Sequence, residues 1–146
     1  DNLKSFAEVD PAGVGRSEYL FIAPFKLDPN NPNRMYLAAG DRVWMNENLS
    51  QVGAGKQSPT EVGWNELRKT AVSQALVSAL DVSTNEVGIL YFGTNSGSIY
   101  KVENVHQPTY ESSFVFQHLV QSEGFYSGNI SCVDVKPRKS EEVMFC

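Results

Sequence analysis

The sequence predicts an all-β protein made of β-propeller blades, each blade being a sheet of four antiparallel strands. Three observations favour this fold: short apolar runs between turn-forming residues, an internal repeat with a spacing of 53–56 residues, and the lack of a helical period sustained over three turns. A closed propeller needs about four to eight blades. The two to three blades predicted in these 146 residues therefore form an incomplete arc.

The first blade is predicted over residues 21–70, and residues 1–20 are interpreted as the end of a preceding blade and a loop. Within FIAPFKLDPNNPNRMYLAAGDRVW, a DPNNPN cluster and a Gly-Asp pair separate three apolar runs. Proline fixes φ and lacks an N–H group, and Asn and Asp hydrogen-bond their own backbone, so these residues favour turns. A fourth run begins at Trp64, after an exposed loop.

The second blade, over residues 75–120, has the same order of parts: ALVSALDV, ILYFGT, IYKVENV and SSFVFQHL. A third copy, over residues 128–146, contains only the first parts, NISCVDV and VMF. The copies align at spacings of 55, 55, 56 and 53 residues for the pairs Leu27 and Val82, Tyr36 and Tyr91, Trp44 and Tyr100, and Asp81 and Asp134. Residues 65–80 could also be written as an amphipathic helix, but their β-rich counterpart in the third copy favours strands.

Composition excludes several classes of protein. The hydrophobic content of 41% is typical of a folded domain, and a net charge of −5 provides no basic surface for nucleic acid or an anionic membrane. No apolar run is long enough to span a bilayer. Residues 93–97 are interpreted as a hairpin turn rather than a phosphate-binding loop, and no cofactor is predicted. Because the sequence starts at Asp1 and ends in a strand-like run, we expect a fragment whose partner is the remainder of the propeller.

The segments FIAPFKLDPNNPNRMYLAAGDRVWMNENL, VSALDVS, ILYFGTNSGSIYKVENV and ISCVDVKP together resemble the BNR-like β-propeller repeats of the sialidase and sortilin type. More distantly, the chain is similar to the propellers of xyloglucan-degrading glycoside hydrolases and of a photosystem assembly factor. The resemblance covers roughly residues 15–146 and implies a propeller in a secreted, extracellular or cell-surface protein. The Asp-box turn of these repeats is degraded here to residues 46–48, so the resemblance implies no particular activity.

Two functions remain open at this stage. The chain is either a binding or scaffold module for glycan or protein ligands, or part of a xyloglucanase-like or sialidase-like glycoside hydrolase whose catalytic carboxylates lie partly outside this sequence. No residue pattern is specific to an enzyme, which favours the binding module. The candidate catalytic residues are Asp81 and Asp134, because paired carboxylates can act as acid and base in glycoside hydrolysis. Their repetition at equivalent positions favours a structural role, in which each binds backbone amides of a neighbouring loop.

Tyr110 and Tyr126 are the candidate binding residues, because they lie in predicted loops and flat aromatic rings suit the faces of sugars. Trp44 and Tyr100 occupy equivalent positions and are expected to pack between blades instead. No metal site is predicted. The oxygen-rich cluster in DPNNPN could hold calcium, but a plain turn is favoured, and the two histidines, His106 and His118, lack ligand spacing. The two cysteines, Cys132 and Cys146, are expected to be buried free thiols, although neighbouring strands would bring them together.

Overall fold

The structure, a computed structural model, describes residues 7–53, 59–107, 115–120 and 128–146 and confirms the all-β class. In these ranges the chain forms two four-stranded antiparallel sheets and one two-stranded antiparallel sheet. Sheet 1 contains β1 (Phe25–Asp28), β2 (Asn31–Ala39), β3 (Arg42–Asn46) and β4 (Trp64–Leu67). Sheet 2 contains β5 (Val77–Val82), β6 (Leu90–Thr94), β7 (Ile99–Glu103) and β8 (Val115–Val120). Sheet 3 contains β9 (Val133–Val135) and β10 (Val143–Phe145).

Helical structure in the described residues is limited to three short 3-10 turns, Arg16–Glu18, Leu49–Gln51 and Arg68–Thr70. Residues 65–80 form part of β4, the last of these turns and part of β5, so the amphipathic-helix interpretation is wrong. Among the described residues, no helix is long and apolar enough to cross a membrane.

Within each sheet, strands that follow one another in sequence are hydrogen-bonded neighbours. The first turn is tighter than the DPNNPN cluster suggests, because β2 already begins at Asn31. The turn is closed by Asp28, whose Oδ1 accepts a hydrogen bond from the backbone N–H of Asn30 at 2.8 Å. β1 begins at Phe25 rather than at Phe21, and residues 21–24 lead into it.

The strand register agrees with the internal repeat. In each sheet the first strand pairs with the second at equivalent positions, namely Lys26 with Tyr36, Asp81 with Tyr91, and Asp134 with Met144. The second strand pairs with the third in the same way, Leu37 with Trp44 and Phe92 with Tyr100. The repeated sequence pattern is therefore a repeated backbone register.

The sheets pack face to face in chain order, and their first strands lie side by side. β1 contacts β5, and β5 contacts β9. The core between sheets 1 and 2 is a cluster of buried apolar residues that includes Tyr36, Met45, Leu80, Val82 and Phe92. A second, smaller cluster between sheets 2 and 3 includes Tyr91, Ile99, Ile130, Val133 and Val135. β5 and β6 of sheet 2 are thus buried on both of their faces.

Candidate functional site

A groove of about 710 Å³ lies across the starts of the first strands of the three sheets. Residues from three separate parts of the chain form it: Leu20, Phe21, Ile22 and Pro24; Ser78, Ala79 and Leu80; Asn129, Ser131, Cys132 and Val133. Since these segments are about 50 residues apart in the sequence, the groove exists only because the sheets stack with their first strands adjacent.

The segment around Ile130, which forms one wall of the groove, lies close to the backbone of sheet 2. The Ile130 N–H donates to the Thr94 carbonyl oxygen at 3.0 Å, and the Ser78 hydroxyl donates to the Ile130 carbonyl oxygen at 2.6 Å. A Cβ atom at Gly93 would lie 2.3 Å from Ile130 Cγ2, which is closer than van der Waals contact allows. Gly93 therefore lets this segment approach sheet 2.

Phe21 and Ile22 are the exposed apolar side chains of the groove. Both belong to the apolar run FIAPFKL, and the sequence pattern alone does not mark them as candidate binding residues. No periodicity signal distinguishes an apolar residue just before a strand from one within it. An exposed aromatic ring beside serine and asparagine side chains can stack on an apolar ligand face while the polar groups bond to hydroxyls or amides.

Asp81 is buried, and both of its carboxylate oxygens have protein partners. Oδ2 accepts a hydrogen bond from the backbone N–H of Val135 at 2.7 Å. Oδ1 lies 2.7 Å from Nζ of Lys26, the residue that occupies the equivalent position in the first copy. This second contact is an ion pair without the alignment of a hydrogen bond, since Oδ1 has no aligned donor among the described residues. Asp81 thus joins the first strands of all three sheets.

The structure does not bring Asp81 and Asp134 together. Val133 and Val135 are buried against sheet 2, and side chains alternate along a strand, so Asp134 between them points away from sheet 2. Asp134 is exposed, whereas Asp81 is buried and bonded to Val135 and Lys26, so the two carboxylates lie in different environments.

The predicted binding residues Tyr110 and Tyr126 lie outside the described residues. Of the two aromatic residues expected to pack between blades, Tyr100 stacks on Phe92 and Phe116, with ring centroids 5.0 and 4.9 Å apart. His118 stacks on the same Tyr100 ring at 4.5 Å.

The oxygen-rich DPNNPN cluster is used for hydrogen bonds within the protein. The side-chain amide of Asn30 donates to the carbonyl oxygen of Ser83, the residue after β5, and that of Asn33 donates to the Glu47 carbonyl oxygen. In the part of the chain that the structure describes, no group of three or more His, Cys, Asp or Glu side chains is placed to hold a metal ion.

Both cysteines are exposed, so the expectation that they are buried is wrong. They lie at the ends of the short strands of sheet 3, where no further described strand covers them. Cys132 lines the groove.

Comparison of the chain with protein-family models, with curated proteins and with solved structures gives no significant match. Its class is defined by the fold and the site: an all-β protein of stacked antiparallel sheets, with a groove across their first strands.

Proposed function

We propose that this chain supplies blades to an extracellular β-propeller that binds a glycan or protein ligand in the groove across its first strands. The observation that carries the proposal is the groove itself, which is lined by the first strands of consecutive sheets and the segments that precede them. In a propeller these strands surround the central channel. The groove is therefore one side of that channel.

The face of sheet 1 that points away from sheet 2 supports the propeller. Phe25 and Leu27 are 63% and 52% exposed, whereas their equivalents in sheet 2, Leu80 and Val82, are 8% and 1% exposed because they pack on sheet 1. Sheet 1 therefore carries apolar residues at the positions by which a sheet packs on its predecessor. This pattern fits a further blade beyond sheet 1, supplied by the remainder of the propeller.

The incomplete packing of sheet 3 on sheet 2 also supports the propeller. Sheet 3 has two strands in the described residues, although sheets 1 and 2 have four. A second cavity of about 250 Å³ lies beside β10, over the outer strands of sheet 2, and is lined by side chains that include Ile99, Leu119, Val143 and Phe145. In the interface between sheets 1 and 2, the corresponding space is filled by β7 and β8. Two further strands of a blade would fill it.

The composition of the groove favours a ligand with an apolar face and hydrogen-bonding edges. Sugar rings have both, and so do extended peptides. The polar side chains Ser131 and Asn129 lie in the same groove as Phe21. The described residues that line the groove include no carboxylate, which favours binding over turnover.

The test is a panel of immobilised polysaccharides that includes xyloglucan and sialylated glycans, probed with the wild-type chain and with Phe21→Ala. Truncation of an exposed aromatic contact should weaken binding by about tenfold. The matched control is Val87→Ala, which removes an exposed apolar side chain outside the groove and should leave binding unchanged. Binding that survives Phe21→Ala undiminished would contradict the proposed site.

The alternative, a glycoside hydrolase, makes a different prediction. If Asp81 is catalytic, Asp81→Asn should abolish the release of reducing ends from the same polysaccharides while the free energy of unfolding stays unchanged. If Asp81 is structural, the variant should lose about 1–3 kcal/mol of that free energy, because the hydrogen bond from Val135 and an ion pair with the half-exposed Lys26 are weakened. Reducing-end assays and urea denaturation on the same variant distinguish the two functions.

A further inference from the structure

Cys132 and Cys146 lie directly opposite each other beside the short ladder of β9 and β10. The N–H of Cys146 donates to the carbonyl oxygen of Cys132 at 3.1 Å, and the N–H of Cys132 donates to the carbonyl oxygen of Cys146 at 3.2 Å. Two residues that exchange both hydrogen bonds form a hydrogen-bonded antiparallel pair. Residues paired in this way have Cα atoms about 5.5 Å apart and side chains on the same face of the sheet.

This spacing lies within the range of Cα separations found in disulfides, about 4.4–6.8 Å. The Cβ atoms of directly opposed residues are about 4.5–5.5 Å apart, so closure of a bond needs them to approach by roughly 1 Å. Sheet 3 has two short strands in the described residues, and both cysteines lie just outside the strand bounds, at the end of the ladder. The geometry therefore permits a bond.

Both thiols are also accessible to solvent, and they lie close to each other. They are exposed and free, and they are the only two cysteines of the sequence, so an intramolecular bond has one possible pairing. Partial burial raises the pKa of the Cys132 thiol, and the neighbouring Cys146 thiol raises it further. Cys146 Sγ lies 3.7 Å from the hydroxyl of Ser131, which lines the groove.

We propose that Cys132 and Cys146 are a modification site, at which a low-molecular-weight disulfide such as oxidised glutathione converts the two thiols into an intramolecular disulfide. One cysteine thiolate attacks a sulfur of the small disulfide, and the first small thiol leaves as a mixed disulfide forms. The second cysteine thiolate then attacks the protein sulfur of that mixed disulfide, and the second small thiol leaves. The two protein thiols lose two protons and two electrons, and the small disulfide takes them up as two thiols.

The bond would close the loop between residues 132 and 146 and fix the two strands of sheet 3 to each other. A crosslink of this kind stabilises mainly by restricting the unfolded chain. Because Cys132 lines the groove, the same bond would hold that wall in place. The inference depends on the geometry of sheet 3 alone and stands whether or not the groove binds a ligand.

The test incubates the reduced chain with excess oxidised glutathione and follows intact mass and free thiols. The wild-type chain should lose the mass of two hydrogen atoms, and its thiol titration should fall from two per chain to none. Oxidation should proceed faster at alkaline pH, where more of the raised-pKa Cys132 is thiolate. The oxidised chain should melt about 5–10 °C above the reduced one.

Two single variants, Cys132→Ser and Cys146→Ser, serve as controls. Each keeps one thiol, so each should gain the mass of one glutathione and show no rise in melting temperature on oxidation. A wild-type chain that keeps two free thiols, carries two glutathiones or forms only intermolecular dimers would overturn the proposal. A disulfide that forms without raising the melting temperature would overturn the claim that it stabilises sheet 3.

Discussion

The two faces of sheet 2 are packed with the same register but with different side chains. The core toward sheet 1 is apolar and aromatic, with Met45, Val102 and Phe116 among its members. The core toward sheet 3 is smaller. The position equivalent to Met45 is occupied there by Lys101, 56 residues later. A repeat that preserves backbone pairing thus does not preserve the chemistry of the interface.

The charge of Lys101 is accommodated because acidic partners reach it. Its side chain is 6% exposed, and its Nζ lies 2.7 Å from Glu141 Oε1 and 2.9 Å from Glu103 Oε1. Burial lowers the pKa of Lys101, but the hydrogen bonds that its ammonium group donates to Glu141 and Glu103 outweigh burial and raise that pKa overall. Met45, by contrast, is completely buried in an apolar cluster. A buried lysine is therefore tolerated where acidic side chains lie within reach of it. The equivalence of two positions in the repeat does not decide this.

The largest expected effect comes from exchanging these two residues. Met45→Lys places a charge without a partner in the apolar core and should lower the free energy of unfolding by about 3–5 kcal/mol or prevent folding. Lys101→Met should change it by less than about 1 kcal/mol, because the two glutamates that lose their partner are solvent-accessible. Urea denaturation of both variants checks this asymmetry. Equal losses would show that the two interfaces are equivalent.

A smaller effect is expected at Gly93, whose equivalent in sheet 1 has one more carbon atom. Gly93→Ala forces a methyl group against Ile130 and should cost about 1–3 kcal/mol of unfolding free energy. The equivalent position in sheet 1 is Ala38, which has room for that atom, and Ala38→Gly should cost only about 0.5–1 kcal/mol. Chemical denaturation measures both.

A double-mutant cycle identifies the cause of the Gly93 effect. If the clash with Ile130 is responsible, Gly93→Ala combined with Ile130→Ala should cost less than the sum of the two single changes. Additive costs would mean that the methyl group acts elsewhere than on the wall of the groove.

The smallest effect concerns pH and the rim of the interface between sheets 1 and 2. Burial lowers the pKa of His106, and the Arg34 guanidinium lowers it further, while Asp28 and Glu47 act in the opposite direction. The folded chain therefore releases the proton of His106 more readily than the unfolded chain, where the pKa is about 6.5. The unfolding free energy should fall as the pH is lowered through and below about 6.5.

The measurement is urea denaturation between about pH 7.5 and 5.5, with His106→Gln as the control. The variant should have a flatter profile than the wild-type chain over this range. Identical profiles would mean that another group carries the pH dependence, and that His106 adds no acid sensitivity to this interface.

Much of the fold could be predicted because its signals are local. The alternation of apolar residues and the DPNNPN and NSGS turns determine where strands form, and the recurrence of Tyr36 as Tyr91 predicts that these residues occupy equivalent positions in their sheets. A four-part pattern repeated at one spacing was sufficient to exclude a helix at residues 65–80. The strand and turn signals depend on residues close together in the chain, and the repeat is found by comparing the sequence with itself.

The site depended on contacts between distant parts of the chain. The sequence favours a structural role for Asp81 over a catalytic one, but its partners Val135 and Lys26 are visible only in the folded chain. Phe21 belongs to an apolar run in the sequence, and only the structure shows that it is exposed and lines the groove.

By itself, the sequence determined the all-β class, because strand formation and turn geometry follow from residues close together in the chain. The repeat also predicted which positions of the sheets are equivalent. Only the tertiary structure decided that three segments about 50 residues apart form one groove and that Cys132 faces Cys146. The tertiary structure also decided that a lysine, Lys101, is tolerated at the position equivalent to Met45, because Glu141 lies beside it. The physical reason is that these features depend on which sheet face packs on which, and burial across that interface is a property of pairs of sheets.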